Sequence, residues 1–84
     1  MTIIRSIKWF DKKTEYIVSK EVLKNLSVDD LRAIIGLPYD PEDPELYDVY
    51  DITQEAADKL KAHMQHQFDF ESYDYFLYCN EQRS

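Results

Sequence analysis

The sequence predicts an α+β domain of order β-β-α-α-β, a three-stranded antiparallel sheet with two helices packed on one face. Three observations predict it. Residues 2–19 hold two runs of β-branched and aromatic residues around a polar break. Two later segments repeat apolar residues at helical spacing, and residues 73–79 return to strand-forming types.

Thr2–Phe10 concentrates Ile3, Ile4, Ile7, Trp9 and Phe10, residues that suit a pleated, half-buried surface. Asp11–Thr14 is polar and Glu15–Ser19 resumes strand character, so residues 2–19 read as a β-hairpin. Ile3 beside Ile4 and Trp9 beside Phe10 interrupt the alternation, which calls for a bulge in one strand or for cover on both faces. Ser27 is placed to cap a helix over Val28–Ile35. Asp29 and Asp30 suit its positive end, while Gly36 and Pro38 stop it. Thr53 or Asp51 caps a second helix, Gln54–His66, whose Ala56, Leu60 and Met64 form a narrow apolar stripe. The closing strand is strongest over Tyr73–Cys79, and Asn80–Ser84 reads as a frayed tail. A hairpin alone is marginal in water, so the last strand is expected to join it beneath a helical layer. Asp48–Ile52 has the composition for one further short strand.

Eighty-four residues make a single domain, one that buries only roughly 60–65% of its unfolded surface. Its 14% aromatic content adds large buried areas to that thin core. A single cysteine, Cys79, rules out an internal disulfide framework. The amino terminus lacks a signal-peptide pattern, and no stretch approaches the roughly 20 apolar residues of a membrane span. A soluble, cytoplasmic protein is expected. The net charge of −7 is unevenly placed: residues 1–24 carry six Lys/Arg against three acids, and residues 25–84 carry four against fourteen. That balance disfavours direct contact with nucleic acid or an anionic membrane and favours a basic protein partner.

The most unusual composition lies in Pro38–Asp51, with three prolines, three tyrosines and six carboxylates. As a bland connector it is stiffened by proline and pinned by Leu46, Val49 and Tyr50. As an interface it loses little entropy on binding and offers tyrosines among carboxylates to a basic groove. The partner-binding candidates there are Tyr39, Asp40, Glu42, Asp43, Glu45, Tyr47 and Asp48. Asp69, Glu71 and Asp74 form a second tier in an acidic–aromatic strand. A calcium loop over the first group lacks the glycine that its sharp turn needs.

Other chemistry is weakly signalled. His63 and His66 are three apart on the second predicted helix but lack a third ligand beyond Cys79. Cys79 sits in an apolar run, as a buried inert thiol would. No phosphate loop or nucleophile elbow is present, so neither an enzyme nor a cofactor or metal site is expected.

The Phe10-Asp11-Lys12-Lys13-Thr14 turn and the Leu37-Pro38…Asp43-Pro44…Tyr47-Asp48-Val49-Tyr50 run resemble small bacterial domains of unknown function, and the chain around them is dense in Asp, Glu and Tyr. The whole chain resembles in type the immunity proteins of contact-dependent inhibition and colicin-like toxin systems. That resemblance implies a 1:1 complex with a toxin domain, a nuclease above all, whose cationic groove an acidic protein covers. The alternative is a regulatory or accessory module, such as a nucleic-acid mimic, with a different basic partner.

Overall fold

The computed structural model of the chain describes residues 2–36, 41–42 and 49–82. Its elements run β1 (Thr2–Asp11), β2 (Ile17–Val22), α1 (Val28–Ile35), β3 (Tyr50–Asp51), α2 (Gln54–Leu60), a 3-10 turn at Lys61–His63, and β4 (Tyr73–Gln82). The fold is α+β, but the sheet has four antiparallel strands, ordered β2-β1-β4-β3, rather than three. The element order is therefore β-β-α-β-α-β. The added strand is two residues long. Tyr50 pairs with Leu77 and Asp51 with Phe76, and the Ile52 amide donates to the Tyr75 carbonyl at 3.0 Å.

Strand parity places the core. Directly opposed residues of antiparallel strands share a face, so Ile7 with Leu77 and Trp9 with Tyr75 line one side of the sheet. Those four side chains are buried together with Leu31 of α1, Ala56, Ala57 and Leu60 of α2, and Leu23 and Ile52 from the connecting segments. Both helices therefore cover the same face. The opposite parity, Ile4, Ser6, Lys8 and Phe10 against Asn80, Tyr78, Phe76 and Asp74, forms a second face. No helix among the described residues packs on it.

Local signals govern α1. The Ser27 hydroxyl accepts from the Asp30 amide at 3.1 Å while the Asp30 carboxylate accepts from the Ser27 amide at 3.1 Å, a reciprocal cap that satisfies two free donors. Gly36 ends the helix at φ 81°, a conformation that costs glycine little.

Elsewhere long-range pairing moves the boundaries. β2 starts at Ile17 rather than Glu15 and continues to Val22. Glu15 instead adopts φ 63° in the turn, where its amide donates to the Asp11 carbonyl at 2.8 Å. Trp9 pairs with Ser19 but Phe10 with Ile17, so Val18 is the extra residue of a bulge. α2 stops at Leu60 instead of His66, and the chain is extended by Met64. β4 runs to Gln82, because β1 offers it partners from Asp11 back to Thr2; Asn80–Gln82 is strand, not tail. Cys79 is half-buried rather than buried, opposite Arg5. No helix among the described residues is long and apolar enough to cross a membrane.

Candidate partner-binding surface

Two structural units meet at one end of the sheet. The first is the turn between β1 and β2. Asp11 accepts through Oδ1 from the amides of Lys13 at 2.7 Å and Thr14 at 3.0 Å. The Thr14 and Lys13 amides hold its carboxyl below the ordinary aspartate value, because they bond the charged form. The second unit is the turn entering β4. There Asp69 accepts from the Glu71 amide at 3.2 Å, and its carbonyl accepts from the amides of Ser72 and Tyr73. The Lys12 amide donates to the Ser72 carbonyl at 3.0 Å and joins the two turns. Lys12 Nζ also lies 3.9 Å from the Asp74 carboxylate, with both side chains exposed. Such a pair contributes little to stability.

The second turn is anchored from below by aromatic packing. Tyr75 is buried, and its hydroxyl accepts from the Asp69 amide at 2.8 Å and lies 2.7 Å from His66 Nε2. Burial pushes the Tyr75 phenol above its ordinary value, against the Asp69 amide, which lowers it. The His66 ring stacks on Trp9 with centroids 3.9 Å apart and planes 17° from parallel. Phe68 and Phe70 pack on Tyr75 at 4.6 and 5.0 Å. Glu21, on the core-facing parity of β2, accepts from the amides of Gln65 at 2.9 Å and His66 at 3.0 Å. This carboxylate supplies acceptors that a longer α2 would have had to provide from its own backbone, and it accounts for the early helix stop.

On the face opposite α1 and α2, Phe10 meets Phe76 edge-on, with centroids 5.6 Å apart, and lies 6.4 Å from Tyr78. All three rings are half-buried. Lys8 places Nζ 4.2 Å from the centre of the Tyr78 ring. Asp11, Glu15 and Asp74 border the same aromatic hollow, whose volume is about 290 Å³.

Among the residues predicted for partner binding, Asp69, Glu71 and Asp74 are exposed and share this end of the sheet. Glu42 is exposed as well. Tyr39, Asp40, Asp43, Glu45, Tyr47 and Asp48 lie outside the described residues. Asp11 and Glu15, and the rings of Phe10, Phe76 and Tyr78, were not among the predicted contacts. Their signal was the presence of apolar residues on both parities of β1 and β4. His63 and His66 do not share a helix face, since His63 closes the 3-10 turn and His66 lies beyond it. Among the described residues no three His, Cys, Asp or Glu side chains gather as a metal site would require.

A family model described as Domain of unknown function (DUF7683) matches residues 4–78. No curated protein matches the sequence.

Proposed function

We propose that this chain, which belongs to the DUF7683 family, is a cytoplasmic immunity protein that binds and neutralises a basic toxin domain, in particular a nuclease. The observation that carries the reading is the gathering of Asp11, Glu15 and Asp74 around one hollow, beside the Asp69–Glu71 turn, in a chain of net charge −7. A nuclease must offer cations to phosphates, and an acidic surface competes for the same groups. The domain acts as a 1:1 plug without chemistry of its own, and it binds neither nucleic acid nor membrane directly. Exposed carboxylates accelerate the encounter, and half-buried aromatic rings hold the complex.

Co-expression with the protein encoded by the adjacent gene tests this. Growth that the neighbour arrests is expected to recover, and the two chains to co-purify in equal amounts. A neighbour that neither arrests growth nor associates removes the immunity role.

A further inference from the structure

We propose that the hollow between Phe10, Phe76 and Tyr78 receives an arginine side chain of the basic partner, with Asp11, Glu15 and Asp74 as its anionic rim; this rests on the reading above and gives it a specific contact. The floor is aromatic and lies on the face of the sheet opposite α1 and α2. The hollow is open, and its roughly 290 Å³ suits one long side chain better than an enclosed metabolite. Among the described residues its lining has three carboxylates and no Lys or Arg, and Lys12 reaches Asp74 from outside it at 3.9 Å, so a cation is the occupant that suits it.

The same face already holds a cation in this manner. Lys8 Nζ sits 4.2 Å from the Tyr78 ring centre, leaving the Phe10–Phe76 side to an incoming group. A guanidinium fits that side better than an ammonium. It is flat, stacks on an aryl face, and pairs with a carboxylate through two parallel N–H donors. Asp74 is available for that pairing, because its 3.9 Å contact with Lys12 is long and exposed on both sides and is readily exchanged.

The test is a two-dimensional NMR titration of the full chain with N-acetyl-arginine amide, and with the citrulline analogue as an uncharged isostere. Saturable shifts are expected at Phe10, Glu15, Asp74 and Phe76, with citrulline at least fivefold weaker. Asp74→Asn, at an exposed strand position that tolerates the change, is expected to weaken arginine binding severalfold. Equal shifts from both probes, shifts that do not saturate, or shifts centred on Met64, His66 and Phe68 beside α2 would overturn the proposal. Growth rescue with a silent hollow removes the arginine site and leaves the immunity reading standing. Arginine binding without rescue supports the site and removes the immunity role.

Discussion

The Tyr75 hydroxyl and Nε2 of His66 lie 2.7 Å apart beneath the turn that carries Asp69 and Glu71. The same hydroxyl accepts from the Asp69 amide, so one buried oxygen ties β4 to both ends of the 66–69 segment. The His66 ring, held from above by Trp9, cannot turn away without losing the stack. The geometry of the acidic end therefore depends on a buried hydroxyl beneath it.

Tyr75→Phe is expected to lower stability by about 1–2 kcal/mol, because it leaves the Asp69 amide and a part-buried imidazole nitrogen without this partner. Urea denaturation measures the loss. The phenol is raised above 10.0 in the fold, so the native state holds that proton more tightly than the unfolded chain does. Its contribution is complete below pH 10 and falls as pH rises through the folded value. The Phe variant should lack that part of the alkaline loss.

Glu21→Ala removes the acceptor of the Gln65 and His66 amides. A loss of about 1–2 kcal/mol is expected, with faster hydrogen exchange at those two amides. Glu21→Gln keeps one oxygen and should fall between the two. Equal exchange in all three proteins would mean that the carboxylate does not hold the segment.

Asp11 gives a pH dependence of the opposite sign. Its folded pKa lies below 3.8, chiefly through the Thr14 amide and then that of Lys13. The stability it contributes is therefore complete above about pH 4 and is lost as pH falls through the folded value. The difference in denaturation midpoint between wild type and Asp11→Ala should be full at pH 6 and narrow as pH falls below 3.8. A difference that does not narrow with falling pH would assign the effect to turn geometry rather than to the charge.

Ser6 is 1% exposed between Val22 and Tyr78, and its hydroxyl has no hydrogen-bond partner among the described residues. Burying a hydroxyl without a partner costs about 1–3 kcal/mol on mutational evidence. Ser6→Ala should therefore be neutral or stabilising by up to about 1 kcal/mol, read as a raised denaturation midpoint. Destabilisation would show that the hydroxyl has found a partner, such as an ordered water.

How much of this was legible in sequence depended on the range of the interaction responsible. Helix α1 was legible to its last residue because Ser27, Asp30 and Gly36 act within the helix and its caps. The end of α2 was not, because the acceptor that competes with further helix is Glu21, 44 residues before Gln65. β3 falls within Asp48–Ile52, whose composition allowed a short strand, and its pairing with Leu77 and Phe76 defines the two residues Tyr50–Asp51 as that strand. Asp69, Glu71 and Asp74 were readable as one acidic stretch, but the strand expected there holds only Asp74, since Asp69 and Glu71 lie in the turn that precedes β4. Asp11 and Glu15 join them only because Asp11 pairs with Tyr73 and Lys12 bonds Ser72. The adjacent Trp9 and Phe10 did announce two useful faces: one ring is in the core, and the other floors the hollow.

Glu15 separates the demands of folding from those of the hollow. At φ 63° an L side chain costs roughly 1–2 kcal/mol, and glycine would remove that strain. Glycine also adds back roughly 0.4–1 kcal/mol of unfolded-chain entropy, so Glu15→Gly should match or slightly exceed wild type in stability. Most exposed positions would lose from the same change. If Glu15 is present for its carboxylate, Glu15→Gly and Glu15→Gln should weaken N-acetyl-arginine amide binding to the same extent, although only glycine relieves the backbone. Chemical denaturation and the NMR titration, run on all three proteins, separate the two effects. Binding that follows stability rather than charge would make Glu15 a turn residue and remove it from the rim.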